Sequence, residues 1–96
     1  MFVAIVNYPK IKEGQEEAFK SWFKWSTFEF SKSPGFIRRS LLKNEKEGEY
    51  ACLVEMDSKE SFMALHSLPF HAIAAEKALE LFEGRAVPTF YSVVIQ

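Results

Sequence analysis

The stretch FVAIVNYPKIKEGQEEAFKSWFKWSTFEFSKSPG, residues 2–35, changes its hydrophobic period once, and that change decides the fold. Phe2 to Tyr8 is β-branched and aromatic and is closed by Pro9 and a polar loop ending at Gly14, which predicts a strand. From Gln15 to Ser31 the period turns helical. At about 100° per residue, Phe19, Trp22, Phe23, Ser26 and Phe30 share one face, and Glu16, Glu17 and Lys20 lie elsewhere. Ser33-Pro34-Gly35 ends the helix, because proline disfavours helical geometry in the residue before it and glycine permits the turn.

Beyond this unit, Phe36 to Lys43 and Glu49 to Met56 read as two strands joined by the charged loop Asn44 to Gly48, a hairpin. Asp57 with Glu60 three residues on resembles a capping box, so a second helix should begin near Ser58. Pro69 interrupts it, and Ser67 is expected to cap a further segment from Leu68 to about Glu83, stopped by Gly84. Pro88 leads into a last strand, Thr89 to Ile95. The order βαββαβ predicts a ferredoxin-like α+β sandwich, a four-stranded antiparallel sheet with both helices on one face.

Ninety-six residues allow one domain, residues 1–96, whose surface should shrink to roughly 5,700 Å² on folding. The composition is 48% hydrophobic with ten Phe, too apolar for disorder. Twelve basic against thirteen acidic residues leave a net charge of −1, which argues against a nucleic-acid partner. No stretch approaches the ~18 apolar residues of a membrane span, and the start lacks a basic leader. With the single Cys52, these features predict a cytoplasmic chain without disulfides.

Alternation places Val3, Ile5 and Asn7 on one side of the first strand and Phe2, Ala4, Val6 and Tyr8 on the other, and both sets are largely apolar. The last strand repeats this, with Phe90 and Val94 opposite Tyr91, Val93 and Ile95. Helices cover one sheet face, so the other is expected to pack on a second copy, a homodimer.

The opening FVAIVNYPKIKEGQEEAF, SPGFIRRSLLKN, the stretch EYACLVEMDSKESFMALHSLPFHAIAAE and the terminal FYSVV together resemble the antibiotic biosynthesis monooxygenase (ABM) domain family. That resemblance implies a dimeric α+β barrel, and for some members cofactor-free oxidation of aromatic or quinol substrates by dioxygen. A haem-degrading branch uses an Asn on the first strand and a Trp and a His on the second helix. Asn7 matches the first of these. Ala74 occupies the histidine position and Ala64 or Leu65 the tryptophan position, while His71 stands about one turn back. A haem-binding or haem-degrading protein is therefore the alternative, as is a ligand-binding dimer without turnover, and no cofactor is the first expectation.

Asn7 and His71 are the expected catalytic pair in a hollow between the second helix and the sheet. The amide would orient a phenol or stabilise an oxyanion, and the imidazole would accept a proton. Trp25, Phe28, His66, Phe70 and Ala74 are expected to line the substrate site or, for the two exposed aromatics of helix one, the dimer seam. Arg38 and Arg39, adjacent on a strand, must point to opposite faces. One guanidinium at most can enter the hollow and bind a carboxylate, and Arg38 is the expected one. The small neighbours Ala72, Ala75 and Ala78 would leave room beside His71. The partner chemistry is thus a small aromatic or quinol ligand.

Overall fold

The computed structural model describes residues 1–96. Four strands, β1 (Phe2–Asn7), β2 (Phe36–Lys43), β3 (Tyr50–Met56) and β4 (Val87–Ser92), form one antiparallel sheet in the order β2-β3-β1-β4. Helices α1 (Glu16–Phe30), α2 (Lys59–His66) and α3 (Pro69–Ala78) pack on one face of it. This is the ferredoxin-like α+β fold that the sequence predicts.

The alternation along β1 decides which side is interior. Phe2, Ala4 and Tyr8 are buried under the helices with Tyr50, Cys52, Val54 and Met56 of β3, and Phe19, Phe23 and Phe30 descend on them from α1. Burying such side chains stabilises the fold by about 1.5–3 kcal/mol each. The helical stripe of α1 is as predicted, Ser26 included. Its hydroxyl, wholly buried, donates to the Phe23 carbonyl.

Several boundaries differ from the sequence reading. Ser58, not Asp57, caps α2, and its hydroxyl accepts from the Ser61 amide. The second helix does break at Pro69, but the cap of α3 is Leu68 without a side-chain hydrogen bond, and Ser67 donates back to the Met63 carbonyl. Pro69 at the first helical position has no N–H to satisfy, and the His71 amide donates to the Leu68 carbonyl at 3.0 Å, so the first turn is held without a polar cap. α3 stops at Ala78, short of Glu83, because the chain turns there to bring Phe82 into the core and bridge it to Ile11. Pro88 lies inside β4 and not before it; β4 is an edge strand, where a missing N–H breaks no ladder. Val93, Val94 and Ile95 lie beyond the last strand.

The second hairpin strand carries the irregularity that matters most. Phe36 pairs with Met56, yet Arg38 pairs with Glu55, a β-bulge that inverts the alternation of everything after it. In a regular strand Phe36 and Arg38 would share the helix-facing side. With the bulge, Arg39 and Leu41 face the helices and Arg38, Ser40 and Leu42 face away.

Candidate functional site

The helix side of the sheet gathers the polar groups. Arg39 rises from β2 and is half-buried among three aromatic faces, its Cζ 4.2 Å from the Phe23 ring centre, 5.1 Å from Phe30 and 5.5 Å from Trp22. Its Nη1 donates to Ser26 Oγ at 2.6 Å and Thr27 Oγ1 at 2.9 Å, and Nη2 approaches the Tyr8 hydroxyl at 3.5 Å. Burial pushes the Tyr8 phenol well above its ordinary value, the neighbouring Cys52 thiol adds to that, and Arg39 opposes it. Burial likewise raises the Cys52 thiol, so Cys52 is a small apolar filler and not a nucleophile.

His71, in the first turn of α3, stands on the other side of Phe30, with ring centres 5.9 Å apart. Its second ring neighbour is His66, 4.2 Å away, at the end of α2. The helix break at Pro69 makes this contact, since five residues on one unbroken helix would not face each other. Burial, then the charges of His66 and Arg39, lower the His71 imidazole to about 4, so it is neutral at physiological pH. His66 uses Nδ1 on the Phe62 carbonyl at 3.0 Å and packs on the Phe62 ring, which fixes its orientation.

Of the residues expected at the site, the structure brings His71, His66, Phe70 and Ala74 to the helix side. Phe70 packs between Trp25 and Phe30, with ring centres at 4.9 and 5.2 Å. Ala74 is fully buried, and its carbonyl accepts from Trp22 Nε1 at 3.0 Å. Trp25 covers Phe70 from outside with Lys77 over its ring, while Phe28 is 63% exposed beneath Lys32 and lines no interior space.

Two expected residues lie on the opposite face. Asn7 is exposed, in the row of Val3 and Ile5 and paired with Ala51 and Val87, so it cannot meet a ligand held by His71 in the same protomer. Alternation gives its parity, and the burial of the Phe2 row under the helices is what turns Asn7 outward. Arg38 also faces outward, where Nε and Nη2 grip the Glu55 carboxylate at 2.5 and 3.1 Å. The bulge after Phe36 puts Arg39 in the place expected of Arg38.

Two open grooves lie away from the Arg39–His71 cluster. One of about 440 Å³ runs between Phe2, Phe62, Met63, Phe90 and Lys59, and another of about 270 Å³ lies between Pro34, Ser61 and Leu68. Haem does not fit the residues present. Ala74 stands where the resemblance places the iron ligand and is sealed against Trp22, and His71 is stacked between His66 and Phe30. No group of three or more His, Cys, Asp or Glu side chains is placed to hold a metal ion, and no helix is long and apolar enough to cross a membrane.

No model of a known protein family matches the chain. No curated protein matches it in sequence either. Solved structures do match in shape. SnoaB from Streptomyces nogalater, a cofactor-independent oxygenase, is 20% identical and superposes with a TM-score of 0.82 over 99% of this chain and 95% of its own. A candidate antibiotic biosynthesis monooxygenase from Nitrosomonas europaea is 16% identical, with a TM-score of 0.84 over 99% of this chain and 100% of its own. Rv0793 from Mycobacterium tuberculosis is 12% identical, with a TM-score of 0.83 over 100% and 98%. Across its whole length, this chain has the fold of the antibiotic biosynthesis monooxygenases.

Proposed function

We propose that the chain is a monooxygenase of the ABM type that oxidises a small aromatic or quinol substrate with dioxygen and without a cofactor, as a cytoplasmic homodimer. The observation that carries the reading is His71, a neutral imidazole held among aromatic rings on the helix side of the sheet, in a fold shared end to end with a cofactor-independent oxygenase. The electron balance needs no reductant. When a ring CH2 becomes C=O, one oxygen atom of O2 enters carbon and the other leaves as water with the two displaced hydrogens. His71 accepts the first proton, and the resulting carbanion, conjugated with the ring, gives an electron to O2.

The low basicity of His71 limits the substrate. Taking a proton from an ordinary phenol, with a pKa near 10, onto an imidazole of pKa about 4 is uphill by roughly 8 kcal/mol. A substrate whose anion is delocalised over an extended ring system lowers that cost, so the fused-ring compounds are the better substrates in this reading. Asn7 belongs to the outer sheet face, which the second protomer covers in this reading. Phe70 and Ala74 form the wall beside His71, His66 orients it, and Trp25 closes the outside.

Oxygen uptake with a panel of hydroquinones and fused-ring methylene compounds tests the reading, run without added metal or cofactor. One O2 should be consumed per molecule oxidised, and His71→Ala should lower kcat/KM by about a hundredfold or more. The acid limb of the wild-type profile should fall near pH 4 and not near 6.5, since the free enzyme's base titrates there. Turnover unaltered in His71→Ala would remove the assignment.

A further inference from the structure

The two adjacent arginines of β2 use the same chemical group differently. A guanidinium has one edge, Nε with Nη2, that matches the two oxygens of a carboxylate. Arg38 spends that edge on Glu55, with both contacts made. Arg39, turned to the helix side by the bulge, holds its place through the other nitrogen, Nη1, on Ser26, Thr27 and the Phe23 carbonyl. Its Nε makes no hydrogen bond to the protein, and its remaining contacts are neutral, the Tyr8 hydroxyl at the long distance of 3.5 Å from Nη2 and the Cys52 thiol beside the guanidinium. No carboxylate lies within ion-pair distance of it, and among the lysines and arginines without such a partner it alone is half-buried.

We infer that the Nε–Nη2 edge of Arg39 binds the carboxylate of an aromatic acid, in the geometry that Arg38 shows with Glu55. Three features fit that occupant. The cation is fixed by neutral hydroxyls, which orient it without neutralising it. Phe23, Phe30 and Trp22 surround it with ring faces, which suit an aromatic guest and keep the site poorly hydrated. Arg39 is half-buried and not enclosed, so part of its side chain meets solvent. Phe30 packs on both Arg39 and His71, which puts the guanidinium and the imidazole on the same side of the sheet. The inference rests on the helix side being the substrate site and adds the substrate's class, an arene that carries a carboxylate apart from its reacting position.

Matched ligands read this directly. Quenching of the fluorescence of Trp22 and Trp25 is titrated with 2,5-dihydroxybenzoate and with hydroquinone, which differ by the carboxylate alone. The wild type should bind the acid at least about tenfold more tightly, the factor one charge-assisted hydrogen bond supplies. Arg39→Met should abolish that preference, and Arg39→Lys, which keeps the charge and loses the fork, should cut it several-fold. Arg38→Met, on the other face, should leave it unchanged. Equal affinity for the two compounds, absence of saturable binding of the acid, or a preference undiminished in Arg39→Lys would overturn the assignment. The lysine variant keeps the test valid should the methionine variant fail to fold. Binding is measured apart from oxygen uptake, so a preference for the acid without turnover would refute the oxygenase and leave the carboxylate site standing.

Discussion

At the scale of single residues, the interior of this small chain is decided by which polar groups are left without a charge partner. His71 is the clearest case. Its folded pKa, about 4, lies below the ordinary 6.5, so between those values the unfolded chain binds the extra proton and stability rises with pH. The contribution is complete above about pH 6.5 and is lost as pH falls toward 4. Allowing for the solvent that reaches a half-buried ring, the loss by pH 5 is on the order of 1 kcal/mol, or roughly 4–8 °C in Tm for a chain of this size. Thermal melts at pH 7 and pH 5 should therefore show a drop in wild type that exceeds the drop in His71→Gln by that amount. An equal drop in both would place His71 in an ordinary environment. The sequence showed the type of this residue and its place near the end of an apolar arc, but not its neighbours. The contact with His66 arises from the Pro69 break, and the proximity to Arg39 depends on a bulge; neither the angle at the break nor a bulge leaves a periodic signal.

At the scale of elements, the order of strands and helices was legible because each carries its own period and punctuation: Pro9 and Gly14 before α1, Ser33-Pro34-Gly35 after it, Pro69 in the middle of the second helix. The turn at Gly35 also shows what the local signal could not carry. Gly35 has φ of +82°, and a Cβ there would collide with the side chains of Ser61 and Asp57 at the start of α2. The Asp57 carboxyl, held below its usual range by the Ser61 hydroxyl and the Ser58 cap, packs into the space that the missing side chain leaves, and the Asp57 amide donates to the Gly35 carbonyl at 2.8 Å. The glycine therefore joins two turns that are distant in sequence. Gly35→Ala should cost more than the ~1 kcal/mol of an unfavourable φ alone, about 2–4 kcal/mol in total, seen as a lower urea midpoint at unchanged slope. Gly48→Ala, also at positive φ but in open space, is the control and should cost about 1 kcal/mol. Equal costs at the two positions would mean that the α2 junction yields to the added atom. The Arg38 and Arg39 placement is the counterpart at strand level. Alternation required that they diverge, and only the extra residue after Phe36 settled which one turned inward.

At the scale of the whole molecule, the helices form a layer on one side of the sheet and nothing covers the other. The chain measures 37 × 32 × 19 Å, a slab, and its surface of 6,460 Å² exceeds by roughly 800 Å² the area expected for a compact monomer of this mass. The uncovered face carries Val3, Ile5, Ala51 and Leu53 in its centre, with Leu42, Val87 and Tyr91 toward the edges exposed by 43%, 60% and 49%. Contiguous apolar surface of this extent is what monomeric proteins avoid, and a standard interface removes about 800 Å² from each partner. The Arg38–Glu55 pair on the same face is already satisfied within the protomer, so covering it would leave no lone charge behind. In the proposed homodimer this face meets its own copy, and a charge set at its centre must then be desolvated without a partner. Leu53→Lys is the sharpest such change, because Leu53 lies between Ile5 of β1 and Ser40 of β2 and points away from the core. Sedimentation equilibrium at micromolar concentration should give twice the protomer mass of 11.1 kDa for wild type and the single mass for Leu53→Lys, with near-ultraviolet circular dichroism showing that the aromatic core of the variant is intact. Tyr91→Lys, at the margin of the same face, should weaken association less than the central change does. A wild type that sediments as a single protomer would mean that the apolar face stays in water, and the homodimer would have to be abandoned while the fold and the Arg39 cluster, which lie wholly within one protomer, would remain.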